Sequence, residues 1–172
     1  RKIHLGVDEK TGEITAQVLT DSKTDDAAVL ADLVADTFKE GVDINKVGAD
    51  GAYDHYGCWD MLTEVEIEPI IPPRENAVFQ LDEEGLPTDH PRNRALRIID
   101  EGGQGENRKG WKAQSGYHRR SKSENAFFRW KMMLGEKMYA RVFENQKTEA
   151  AVKAAALNKF IQIAAPKSVK VP

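Results

Sequence analysis

The hydrophobic period changes along this chain, and that change limits the class of fold it can reach. Ile3, Leu5 and Val7 alternate with Lys2, His4 and Gly6, the two-residue period of a half-buried strand. Asp8 to Glu13, with Gly12, supplies a turn, and Ile14 to Thr20 reads as the returning strand of a hairpin. The period then becomes helical: Val29, Leu30, Leu33, Val34 and Phe38 follow a cap at Thr24 or Asp25 and stop near Gly41. Lys46 to Ala49 is a short buried strand that delivers Asp50 at its end. Tyr53 to Glu64 is expected to be helical, and Glu66 to Ile71 to be a further strand halted by Pro72 and Pro73. Ser121 to Leu134, closed by Gly135, and Thr148 to Ile163 complete the series as helices. Strands first, with helices interleaved and trailing, specify an α/β layered domain.

A chain of 172 residues suits one domain, so residues 1–172 are read as a single domain with an insertion at about 74–110. The insertion is rich in Gly, Pro and charge and holds one helical segment, Pro91 to Asp100. Its Gly102-Gly103-Gln104-Gly105 run lacks the Lys-Ser/Thr pair of a phosphate loop and reads as a flexible connection. With 40% hydrophobic and 31% charged residues, and no apolar run near the roughly 18 to 20 residues of a membrane span, the chain reads as soluble. The lone Cys58 excludes an internal disulfide framework and a four-thiolate zinc site, which fits a reducing cytoplasm. It is expected to be a small buried apolar residue. His4, His55, His90 and His118 are scattered and show no zinc-site spacing. The chain opens on Arg1 and runs straight into strand-like sequence, so an upstream segment is expected.

Charge is unevenly distributed. Residues 1–91 hold 7 Lys+Arg against 21 Asp+Glu, and residues 92–172 hold 18 against 7. From Arg108 to Arg141 ten basic residues face only Glu124 and Glu136. Such a basic concentration attracts polyanions, whereas mutual pairing of the two charge pools is the competing reading.

On an ideal α-helix, with Glu124 at zero, Tyr117, Arg120 and Lys131 fall at about +20°, −40° and −20°, a shared face about 60° wide. Ala126, Phe127, Trp130, Met133 and Leu134 would line the core side. Ordinary salt bridging on a solvated face explains the same pattern, but Arg119, Lys122 and Arg129 add more positive charge than Glu124 can neutralise. Phe127, Phe128 and Trp130 have core packing as their commoner fate and base stacking as the alternative. Asp50 sits in Ala49-Asp50-Gly51-Ala52-Tyr53-Asp54, at a strand end where open α/β sheets bind ligands; a turn or cap role competes for it. For Asp54 the turn or cap role is the better reading. Asp50 and Glu124 could supply part of a Mg²⁺ site, the remaining ligands coming from water and phosphate.

The spacing Tyr117, Arg120, Glu124, Lys131 resembles the Tyr-Arg-Glu-Lys signature of bacterial insertion-sequence transposases of the DDE type. The Ala49 to Asp54 run resembles the block around that family's second catalytic aspartate. Lys2 to Asp8, Ile71 to Ala77, Arg92 to Ile98 and Gly116 to Ser121 are similar to its flanking blocks, so the resemblance runs from Lys2 to Ile163. It implies a ribonuclease H-like mixed sheet flanked by helices, with two Mg²⁺ ions, or Mn²⁺, on an Asp, Asp, Glu triad. The implied activity is hydrolysis and strand transfer of DNA phosphodiesters at transposon ends. It further implies that Asp50 and Glu124 are catalytic and metal-binding. Tyr117, Arg120 and Lys131 are implied to contact DNA, joined by the neighbouring Arg119, Lys122 and Arg129. DNA ends and target are the implied partners, with a homodimer in the DNA complex and a bacterial, nucleoid-associated cytoplasmic setting. The family's first aspartate belongs on a strand before Lys2, so an N-terminally truncated, inactive fragment is expected; Asp8, at the hairpin turn, is a poor substitute. A non-catalytic nucleic-acid-binding or regulatory remnant is the alternative, and an unrelated structural domain with one acidic and one basic face is a third.

Overall fold

Residues 1–100 and 107–164 are described by the structure, a computed structural model, and the chain divides into two units. Unit 1 comprises Arg1–Thr24, Asp32–Val42 and Ser121–Pro172, and unit 2 comprises Asp25–Ala31 and Asp43–Arg120. The expected Gly102 to Gly105 connection lies outside the described residues.

Unit 1 begins with the hairpin that the two-residue period predicts. Strand β1, Lys2–Val7, pairs antiparallel with β2, Ile14–Thr20, in the register Ile3↔Leu19 and Leu5↔Gln17, with an irregularity at Gly6/Val7. Asp8 builds the turn: its Oδ1 accepts from the amides of Lys10 at 2.6 Å and Thr11 at 2.9 Å. Helix α6, Phe143–Ala164, lays Ala150, Ala154 and Leu157, at helical spacing, against Leu5 and Ile14. Helix α5, Ser121–Arg129, contributes Ala126 to the same core, and Trp130 follows it. Asn158 pins α6 to the strand, accepting from Ile14 N at 2.7 Å and donating to Ile14 O at 2.8 Å. Helix α1, Leu30–Lys39, crosses the division between the units. Within unit 1, Thr37 Oγ1 donates to Leu33 O at 2.8 Å and meets Thr15 Oγ1 at 3.0 Å.

The expected helix Ser121 to Leu134 is not uniform. After Arg129 it widens into a π-helical turn, Trp130–Leu134, before Gly135 exits at φ 72°. A π turn rotates less per residue than an α-helix, so α-helical spacing misplaces the side chains beyond Arg129. Trp130 is buried as expected, but Met133, read as core, is exposed. Leu134 and Phe127 pack partly against the core, and Phe128 points to solvent.

Unit 2 is built on a β-α-β segment. Strand β3, Lys46–Gly48, pairs in parallel with β4, Glu68–Ile70, and helix α2, Tyr56–Glu64, forms the crossover that parallel strands require. The strand β4 begins later than expected because Glu66 adopts φ 58°, a left-handed backbone that no strand accommodates. Helix α3, Pro91–Asp100, matches its predicted bounds, while a further helix, α4, Arg108–Gln114, runs across the insertion's expected end at about 110. Trp59 and Leu62 of α2, Ile67, Ile71, Leu96 and Ile99 of α3, and Trp111 of α4 are buried. The fold is mixed α/β. Its described strands form two two-stranded sheets, one antiparallel and one parallel.

Candidate functional site

Asp50 lies one residue past the last paired strand position, because Ala49 N still donates to Ile70 O at 3.2 Å. Its Oδ1 accepts from Ala52 N at 2.9 Å and caps a 3₁₀ turn, Gly51–Tyr53. Capping satisfies an otherwise orphaned donor and fixes the side-chain direction. The second oxygen, Oδ2, lies 3.9 Å from Arg120 Nη1, and 47% of the Asp50 side chain is solvent-exposed. At that separation the pair is a loose electrostatic contact that leaves the carboxylate available to another cation.

Arg120 closes a second 3₁₀ turn, Tyr117–Arg120, which packs beside β3. The chain enters that turn through Gly116 at φ 76°, a conformation that favours glycine. Tyr117 is flanked by two cations, Lys112 Nζ at 5.2 Å and Arg120 Cζ at 5.6 Å from its ring centroid, with Trp111 at 6.0 Å. Unit 2 therefore assembles Asp50, Tyr117 and Arg120 in one neighbourhood, with Arg119 exposed beside them. Tyr53, next in the Asp50 turn, has its phenol pushed far up by burial and by the carboxylates of Asp26 and Asp50, so it stays protonated.

Tyr117, Arg120, Glu124 and Lys131, read on one ideal α-helix, fall in three kinds of helical turn. Tyr117 and Arg120 belong to a 3₁₀ turn, which has three residues per turn, Glu124 to the first turn of α5, and Lys131 to the π turn. The angles assigned on an ideal α-helix therefore do not apply. In unit 1, Lys131 Nζ pairs with Glu136 Oε1 at 2.8 Å and holds that carboxyl below its ordinary value. Arg129 Nη2 donates to Gly12 O at 2.9 Å, bracing the hairpin turn, and Lys122 is exposed. Glu124 sits where a helix N-terminus favours negative charge.

Asp54 departs from the role read for it. It caps no helix with its side chain; its carboxylate is fully buried and receives Arg92 Nε at 2.7 Å and Arg92 Nη2 at 3.0 Å. Sequence reasoning placed Arg92 only in a flanking block and missed its pairing with Asp54, because nothing local connects residues 38 apart. Cys58 behaves as expected: it is buried, its Sγ lies 3.6 Å from Ala27 O, and burial pushes its thiol up, away from reactivity.

A family model, described as the transposase DDE domain, matches residues 1–159. The chain belongs to the DDE transposase domain family. No solved structure matches it. Membership places this DDE domain among proteins of DNA transposition and makes DNA its partner and divalent metal the family's usual requirement. Among the described residues, no group of three or more His, Cys, Asp or Glu side chains is arranged to hold a metal ion, and no helix is long and apolar enough to cross a membrane.

Proposed function

We propose that this chain supplies two of the three acidic residues of a DDE domain that performs metal-dependent phosphodiester hydrolysis and strand transfer at the ends of an insertion sequence, on a ribonuclease H-like plan. Asp50 and Glu124 act as metal-binding carboxylates, and Tyr117, Arg119, Arg120, Lys122, Arg129 and Lys131 engage DNA phosphates, in a homodimer assembled on the DNA. The observation that carries the reading is the neighbourhood of Asp50: a half-exposed carboxylate at a strand end, beside Arg120 and the cation-flanked Tyr117. The donor chemistry fits Mg²⁺ or Mn²⁺, since both prefer hard oxygen ligands and Mg²⁺ takes few of them from protein. When bound, such ions supply Lewis-acid activation of the attacking oxygen and of the leaving oxygen. The chain's own residues then have separable tasks. Ala52 N–H orients the Asp50 carboxylate, and Arg120, a short reach away, can hold a phosphate.

Iron-directed hydroxyl-radical cleavage tests the metal ligands without requiring turnover. Fe²⁺ in place of Mg²⁺ should cut the backbone around residues 50 and 124, with Mg²⁺ as competitor, and Asp50→Asn should abolish the cut at its own site. Uncut chain at both positions would remove the catalytic reading and leave a DNA-binding remnant. In parallel, Arg120→Ala should flatten the log-log salt dependence of duplex DNA binding by about 0.9.

A further inference from the structure

The turn that carries Asp50 is clamped on both sides. Before it, the β3–β4 pairing continues through Ala49. After it comes Asp54, whose carboxylate collects donors from three separate segments: Arg92 of α3 twice, Trp59 Nε1 of α2 at 3.1 Å, and Arg74 N after β4 at 2.9 Å. The Arg74 side chain turns back on the same turn, donating from Nε to Gly51 O at 3.3 Å and meeting His55 Nε2 through Nη2 at 3.0 Å. Arg92 has further anchors of its own. Its Nη1 donates to Tyr56 Oη at 3.0 Å and to Val78 O at 3.0 Å, and its guanidinium lies 4.8 Å over the Tyr56 ring.

A buried ion pair is weak evidence for stability, because well-packed apolar residues often serve as well. What this one adds is direction. Four hydrogen bonds fix the orientation of one carboxylate four residues after Asp50, and a reacting geometry tolerates only sub-ångström error.

We propose that Asp54 and Arg92 are positioning residues for Asp50: the pair sets the turn that aims the Asp50 carboxylate, so the insertion helix α3 governs the geometry at the end of β3. The importance of this for catalysis rests on Asp50 being a metal-binding carboxylate.

Amide exchange and Mn²⁺ broadening, measured by NMR on the whole chain, separate the two ideas. The Ala52 amide is held by Asp50 Oδ1, so its exchange reports the Asp50 orientation directly. Asp54→Asn and Arg92→Lys should accelerate exchange at Ala52 and Tyr53 about tenfold more than Ile99→Val, which trims the same unit's core without removing a hydrogen-bonding side chain. They should also weaken Mn²⁺ binding, read as broadening around residue 50, about ten- to a hundredfold. If a single variant fails to fold, the neutral double variant Asp54→Asn/Arg92→Met removes both charges together and is read the same way. Exchange equal to that of Ile99→Val would overturn the positioning role. Mn²⁺ broadening untouched by Asp50→Asn would overturn Asp50 as a ligand, while amide exchange still decides the clamp.

Discussion

The two units are held together by different physics. In unit 1, Leu5, Ile14, Ala126, Trp130, Ala150, Ala154 and Leu157 form an apolar core, and the buried polar residues His4 and Thr37 are formally uncharged, His4 Nε2 meeting Thr20 Oγ1 at 2.9 Å and Thr37 Oγ1 donating to Leu33 O and meeting Thr15 Oγ1 at 3.0 Å. Unit 2 has an apolar core too, but it also buries Asp54, Arg92 and Asn93. Asn93 Nδ2 donates to Gln80 O at 2.8 Å and Thr88 O at 3.0 Å, and its Oδ1 accepts from Gln80 N at 2.9 Å, closing the 80–88 loop. Apolar contact is non-directional and fixes little beyond proximity. A satisfied polar network fixes orientation as well, and an incomplete one is costly. The half of the fold that presents Asp50 is thus the half whose interior is specified by direction.

The sharpest way to break this comparison is Asp54→Ala. It strands the Arg92 charge in a buried site and should cost about 3 to 5 kcal/mol, read by hydrogen exchange as lost protection in unit 2 with unit 1 retained. Equal loss in both units would mean that they are not energetically distinct. The same carboxylate makes unit 2 acid-sensitive. Burial pushes Asp54 up, but hydrogen bonds from Arg92 and the Arg74 amide, with the Arg92 charge, outweigh it and leave the carboxyl below its ordinary 3.8. A depressed folded value contributes stability that is present above 3.8 and lost as pH falls through the lower folded value. Unit 2 protection should therefore decline as pH falls from 3.8 through the lower folded value, and Asp54→Asn should flatten the decline.

A smaller effect is expected in unit 1 from Asn158→Ala. It removes both side-chain bonds to the Ile14 backbone and should cost about 1 to 3 kcal/mol, confined to amides of β1, β2 and α6. The smallest is Glu136→Gln. Its pair with Lys131 is exposed, so the melting temperature should not move, and a clear drop would give that surface pair a structural role.

Local pattern reached some elements and not others. The β1–β2 hairpin and α3 were legible with their bounds, since alternation and an initial proline are local signals. Helix α4 spans the expected end of the insertion and holds Gly110, where the Asn107 side chain fills the space of a Cβ. The Tyr117 to Lys131 spacing was read at one helical period, whereas three periods succeed one another over those residues. Asp50 makes the capping bond that competed for it, and Asp54, read as a turn or cap residue, anchors a long-range ion pair instead.

The sequence alone determined the alternation of strands and helices, the β1–β2 hairpin of unit 1 and the placement of Asp50 at a strand end, because each depends on residues within a turn or two of one another. Only the tertiary structure decided that Arg92 meets Asp54 and that Arg120 and Tyr117 stand beside Asp50. Those meetings depend on loop closure over tens of residues, and the burial that makes a charge seek its partner exists only once the chain has folded around it.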